Sequence, residues 1–409
     1  MNRALFHRDF TLVVIGQIIS LFGNAVLRML LPLYLLEQTG SPGLFSAVSA
    51  ISFIPMILLS PIGGLIADRV NKRTMMVVLD FGTSALIVLC GFLLGRVPLV
   101  ALLVPVLVLL YGIQGAYQPA VQASIPLLQE PEQILPAGAV INQVNALASL
   151  LGPALGGICY TRWGLRPVLF VCVGCFFVSA VMEIFIHMPH TLRVRHGSLL
   201  GSARDDLAES IRFIRTEKPI LSRVILLAAL FNLLLSALMI VGLPILVTTS
   251  LGLSADMLGF AQGMLAAGGL LGGILAGVFA QKLHPSASSF LLVLCAGLLV
   301  PIGLAFLLPL TTIARFLILC VASFALMACS TLVSIQFLAF VQLETPAALV
   351  GKVIACLLTI SMSAQPIGQA VYGQLFEHLP GMEGLILLFA AAGSALVAIK
   401  ARTVFAELA

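Results

Sequence analysis

Charge is what this sequence has least of: Asp, Glu, Lys and Arg make up 9% of its 409 residues, where a soluble domain carries about 25%. With hydrophobic residues at 60% and a mean hydropathy of +1.15, that shortage excludes a soluble fold and points to a polytopic membrane protein. Histidine is scarce at six residues, and the eight cysteines (Cys90, Cys159, Cys172, Cys175, Cys295, Cys320, Cys329 and Cys356) all lie inside apolar runs. Neither a metal site nor a disulfide framework is expected of them, and they read as small hydrophobes. Cys172 and Cys175 form a C-x-x-C, but no base or histidine stands near to activate a thiol. A Gly-rich phosphate loop, a Ser nucleophile elbow and paired carboxylates within one span are missing too, so no enzyme activity and no cofactor is expected.

What the sequence does have is apolar runs of about 20 residues or more, the length a helix needs to cross a hydrocarbon core. Twelve can be counted, over 10–36, 43–67, 74–95, 98–127, 136–161, 166–188, 220–249, 256–281, 287–309, 311–340, 347–376 and 383–403. The first is too long for a signal-peptide core and has no small-residue cleavage site, so it is read as a retained span. Helices are required because an open strand edge cannot be satisfied in lipid, and no barrel-like alternation is present. Sixteen of the 21 Lys and Arg fall in segments on the N-terminal side of the membrane, and only Arg96, Arg162, Arg166 and Arg315 fall opposite. That bias places both termini in the cytoplasm.

The longest polar connection, 189–219, separates a first six-helix bundle at 1–188 from a second at 220–409. Within it, Ser202-Ala203-Arg204-Asp205 has the form of a capping box, and Leu207, Ile211 and Ile214 follow at helical spacing. A short amphipathic helix is expected there, solvated or docked on lipid. The bundles repeat each other at an offset of 213. Gly64-Leu65-Ile66-Ala67-Asp68-Arg69-Val70 maps onto Gly277-Val278-Phe279-Ala280-Gln281-Lys282-Leu283, Gly138 onto Gly351, and Pro153 onto Pro366. Paired repeats of this kind are a transporter layout with the substrate path between them.

Two motifs carry a resemblance. The polar break after span two contains Gly64, Ala67, Asp68 and Arg69, with Lys72 and Arg73 behind them. It resembles the Gly-x-Leu-Ala-Asp-Arg-x-Gly-Arg-Lys loop of the major facilitator superfamily, with Asn71 where that loop has Gly. Asn is the substitute that best tolerates a left-handed turn. On span five, Gly152, Pro153, Gly156 and Gly157 are similar to the superfamily's antiporter signature, with Ala148 in place of its first Gly. Small residues at that spacing let helix backbones approach closely. Gln118-Pro119-Ala120, Ser124-Ile125-Pro126, Asn142 and the Thr39-Gly40-Ser41-Pro42 loop look like the macrolide-efflux and enterobactin-exporter branch. The resemblance implies an all-α membrane fold of twelve transmembrane helices in two pseudo-symmetric bundles. Two departures matter: Tyr111 stands three residues before Gln114-Gly115, where many proton-coupled relatives have Arg, and span one reads Gly23-Asn24 where the branch often has Gly-Asp.

Charges inside the membrane are functional candidates, because each costs about 2.5–3.5 kcal/mol at a helix centre. Arg28, in the outer half of span one, either snorkels to headgroups or presents a cation to the substrate path. Asp80, on span three at a different depth, either joins Asp68, Arg69 and Arg73 in a charge lock or takes up protons for coupling. Glu183, near the inner end of span six, reads as a headgroup anchor. The amides Gln17, Asn24, Gln114, Gln122, Asn142, Asn145, Asn232, Gln262, Gln336, Gln365 and Gln369 either pack between helices or line a wet pathway. Few charges among amides, Met and Phe suit a bulky amphipathic substrate. The whole reads as a monomeric, multi-pass exporter of a hydrophobic or amphipathic compound in a bacterial cytoplasmic membrane, driven by proton antiport and in contact with membrane lipids. A lysophospholipid or other lipid transporter without proton coupling is the alternative, and a non-transporting sensor the remote one.

Overall fold

The structure is a computed structural model and describes residues 5–188, 209, 211–278, 287–346 and 349–406. Among them are twelve helices long and apolar enough to cross a membrane, and no β-strand. The first half contributes α1 (Arg8–Thr39), α2 (Pro42–Arg69), α3 (Lys72–Leu93), α4 (Leu99–Leu128), α5 (Ile134–Trp163) and α6 (Leu165–Ile184). The second contributes α7 (Pro219–Ser250), α8 (Ala255–Val278), α9 (Ala287–Leu307), α10 (Thr312–Glu344), α11 (Val350–His378) and α12 (Glu383–Ala406).

Local chemistry sets the ends. His7 caps α1, its ring accepting from the Phe10 N–H at 3.5 Å and bonding the Leu128 carbonyl at 2.8 Å, which ties the start of α1 to the end of α4. Gly40 closes α1 at φ +63°, a left-handed conformation that favours glycine. Asn71 does not take the left-handed turn expected of it. It is extended, at φ −62° and ψ 114°, and its side-chain oxygen accepts from the Arg73 N–H at 3.0 Å as the N-cap of α3. The amide is here because it can cap a helix start.

α7 is not a continuous α-helix. Two π-helical stretches, Asn232–Ser236 and Ile245–Ser250, interrupt it. At the first, a Cβ on Gly368 of α11 would lie 2.2 Å from the Leu233 carbonyl oxygen, so the widened turn rests directly on backbone that only glycine leaves clear. Of the expected amphipathic helix, residues 201–208 and 210 lie outside the described residues, while Phe213–Glu217 form one π-helical stretch with Phe213 and Ile214 buried.

The helices gather into two compact units that follow the sequence halves with two exchanges: Ser41–Ala50, at the start of α2, belongs with the second half, and Ser254–Phe260, at the start of α8, with the first. Both exchanged pieces are held at glycines. In the first unit, a Cβ on Gly157 of α5 would lie 2.3 Å from the Ala255 carbonyl oxygen, and one on Gly259 2.5 Å from that of Pro153. In the second, the Glu377 carboxylate of α11 accepts from the Ser41 hydroxyl at 3.1 Å and the Gly43 N–H at 3.0 Å, capping the start of α2.

Candidate functional site

The first unit buries a polar cluster where α1, α3, α4 and α6 meet. Each side chain arrives from within its helix, by a rise of 1.5 Å per residue. Gln17 and Ser20 lie about 14 and 18 Å from the start of α1, Asp80 about 12 Å from the start of α3, and Tyr117 about 16 Å from the end of α4. Glu183 is one residue from the end of α6. It meets the others because α6 stops short: α1 begins nine residues before Gln17 and extends well past the end of α6. Glu183 is therefore not a headgroup anchor. It is fully buried, beside Gly16 of α1, which leaves room for its side chain.

The bonds form a chain. The Gln17 amide donates to the Tyr117 hydroxyl at 2.7 Å, and that hydroxyl donates to Glu183 Oε1 at 2.6 Å. The Ser20 hydroxyl donates to Asp80 Oδ1 at 3.0 Å. Asp80 and Tyr117 line one crevice, which brings the acid to the phenol that holds Glu183. Gln17, Asp80, Tyr117 and Glu183 are at most 4% exposed, yet Gln17 Oε1, Asp80 Oδ2 and Glu183 Oε2 have no hydrogen-bond partner among the described residues. Three unanswered acceptors in one buried place are unusual, since most buried polar atoms are paired.

Asp80 also borders a narrow crevice of about 10 Å³, room for about one water, lined with it by Ser20, Asn24, Thr83, Gln114 and Tyr117 against Leu21, Ile113 and Phe176. Gln114 Oε1 too is buried, with no hydrogen-bond partner among the described residues. Farther along α4, the Arg28 guanidinium sits 4.3 Å from the centroid of the Tyr111 ring, and Phe53 meets that ring edge-on. Such a contact retains a cation without an acid.

The structure thus joins Asn24, Asp80 and Gln114 of the sequence candidates, with Arg28 four residues along α1 from Asn24 and resting on Tyr111 of α4. It adds Tyr117 and Glu183, which sequence reasoning had not placed there. Of the expected charge lock, only Asp80 and Arg73 have described side chains, and these two do not pair. Asp80 makes no ion pair among the described residues, and Arg73 donates instead to the Ile186 carbonyl at 3.3 Å. The side chains of Asp68 and Arg69 lie outside the described residues, while Gly64 faces Pro119 of α4 and Lys72 opens α3. The other amides are scattered: Asn142 is exposed, Asn145 and Asn232 bond carbonyls of their own helices, Gln262 lies on α8 and Gln365 on α11, and Gln336 accepts from Ser288 at 2.5 Å. On α5, Gly152 and Gly156 turn to Ala25 and Val26 of α1, and Pro153 and Gly157 turn to the start of α8, so the motif packs two partners at once.

Comparison with known proteins fits this fold. The model of the Major Facilitator Superfamily matches residues 13–369. Macrolide efflux protein A of Streptococcus pyogenes is 24% identical over 269 residues, which is 64% of this chain, and the chain spans 65% of that relative's length. The multidrug efflux pump Tap of Mycobacterium tuberculosis is 24% identical over 384 residues, covering 90% of this chain and 86% of Tap. Among solved structures, the nucleoside transporter NupG superposes with a TM-score of 0.76 at 12% identity, covering 96% of this chain and 100% of NupG. The twelve-helix frame, the loop after α2, the glycine-proline motif of α5 and the family match together make this multi-pass membrane protein a member of the Major Facilitator Superfamily.

Proposed function

We propose that the protein exports a hydrophobic or amphipathic small molecule from the bacterial cytoplasm or inner leaflet by alternating access, with proton antiport as the driving force. It acts as a monomer in the cytoplasmic membrane with both termini inside. The observation that carries this reading is the buried cluster of Asp80, Glu183 and Tyr117, two acids held by hydroxyls inside a bundle of twelve apolar helices, the kind of group that can take up a proton. Relatives named as macrolide and multidrug efflux proteins support the export direction. The loop Gly64 to Arg73 and the α5 motif are the proposed gate and pivot, and each can bias the cycle only by interacting differently in its two states.

The test is transport in proteoliposomes carrying a pH gradient, with ethidium, erythromycin and lysophosphatidylcholine as probes. Ethidium or erythromycin should move only while the gradient stands. Movement that ignores the gradient refutes proton antiport, and movement of the lysolipid alone replaces the substrate class.

A further inference from the structure

Asp80 and Glu183 reach the Tyr117 phenol from α3 and α6: the phenol donates to Glu183 and lines the same crevice as Asp80, to which the Ser20 hydroxyl donates. The groups facing the pair can be named helix by helix. α1 supplies the amide of Gln17 and the hydroxyl of Ser20, α4 the phenol of Tyr117, and α6 the Ser179 hydroxyl, which donates to the Gly16 carbonyl at 3.1 Å. Arg28 is engaged on Tyr111, six residues up α4 from Tyr117, and Arg73 on Ile186, so neither ion-pairs with the carboxylates among the described residues. Two ionised carboxylates in a poorly polarisable interior repel strongly when no cation lies between them. The unanswered Asp80 Oδ2 and Glu183 Oε2 are places where a proton can bond, and the unanswered Gln17 Oε1 is an acceptor waiting beside them.

Resting on the proton-antiport reading, we propose that Asp80 and Glu183, linked through Tyr117, are one proton-binding site that takes up and releases a single shared proton in each transport cycle. Uptake forms one O–H bond on a carboxylate oxygen of the pair. Release breaks that bond and returns the proton to water through the crevice at Asn24 and Gln114, with no electron transferred. With the proton on, the repulsion between the two acids is gone. With it off, the Ser20 and Tyr117 hydroxyls remain as donors to the carboxylates. The site lies wholly within the first unit, so the proton can be held without any group from the second.

Two measurements test this. Acid-minus-alkaline infrared difference spectra of the purified protein should contain carboxylic C=O bands from the pair. Glu183→Gln should remove one contribution and shift the other, and Asp80→Asn should do the converse, because the two share a proton. A second band that stays in place in both variants means independent carboxyls and overturns the proposal. In proteoliposomes, gradient-driven ethidium movement should fall at least tenfold in each variant, and a variant driven as well as wild type also overturns it. If either variant fails to elute as a monodisperse protein, Tyr117→Phe, which keeps the ring and removes only the hydroxyl, should shift both infrared bands, and unshifted bands refute the link. A wild-type protein that ignores the gradient but shows the shared bands sinks the antiport reading and leaves the proton site standing.

Discussion

At an offset of 212 residues, Met76, Asp80, Thr83, Ser84 and Ile87 on α3 correspond to Ser288, Leu292, Cys295, Ala296 and Leu299 on α9, and all ten are buried. On α4 and α10 the offset is 213, where Tyr117 corresponds to Ser330 and Gln114 to Met327. α12 has no carboxylate after its first residue, Glu383, whereas α6 has Glu183 one residue from its end. The two halves therefore bury the same faces of equivalent helices, one around two acids and a phenol and the other around Leu, Met and Ser. Packing of this frame does not need the acids, since the second half manages without them. Their retention in the first half is a sign of chemistry rather than of folding, as buried ionisable groups give little stability over apolar replacements.

The largest way to break the comparison is to place an acid where the second half has none. Leu292→Asp puts a carboxyl at the position equivalent to Asp80 without the hydroxyls and amide that surround Asp80. It should lower stability by about 2.5–3.5 kcal/mol, the cost of an unassisted charge at a helix centre. Thermal unfolding followed by size-exclusion chromatography would show it as a clear drop in midpoint. The reverse change, Asp80→Leu, should leave the midpoint close to wild type. Equal melting of Leu292→Asp and wild type would mean that the second half can satisfy an acid after all, and the contrast between the halves would collapse.

Much of the frame was legible because hydropathy and length are local properties. Each of the twelve apolar runs became a helix near its expected place. The polar cluster was legible only in part, because it depends on how far each helix protrudes. Glu183 counted from the end of its own run looked shallow. Counted against α1, which is 32 residues long beside a 20-residue α6, it is deep. The available signal was the combination of a glycine at Gly16 with an acid ending a short span. Tyr117 went unnoticed because a single phenol in an apolar run looks like core. Asn71 was misread because a residue that replaces glycine can serve either the turn or the cap, and only backbone angles distinguish the two.

A smaller effect separates the two proline helices. Gly157 on α5 lies against the Ala255 carbonyl, whereas its equivalent at offset 213, Ala370, already carries a Cβ and is half-buried. Gly157→Val should force α5 and the start of α8 apart, at roughly 1–3 kcal/mol for overpacking. Ala370→Val should stay within about 0.5 kcal/mol. Comparing the two melting midpoints, with a cysteine crosslink between α5 and α8 as a reporter of separation, sharpens the assignment of close packing to the motif. If the two valines cost the same, the glycine motif is no tighter than its copy.

The smallest expected effect concerns the cation. Arg28 rests on Tyr111, and at offset 213 their equivalents are Val241 and Phe324, so the second half keeps an aromatic ring with nothing charged upon it. A cation over a ring contributes about 0.5–1 kcal/mol when exposed and about 2 kcal/mol when desolvated. Tyr111→Phe preserves the ring face and should cost almost nothing, while Tyr111→Leu removes it and should lower the midpoint by an amount within that range. The diagnostic step is to repeat Tyr111→Leu in an Arg28→Met background. If the ring acts through the guanidinium, the second substitution should absorb most of the first one's effect, because the two side chains form a single contact. Independent, additive losses would show that Tyr111 serves Phe53 and the helix packing alone, and that Arg28 is held where it is by something other than the ring.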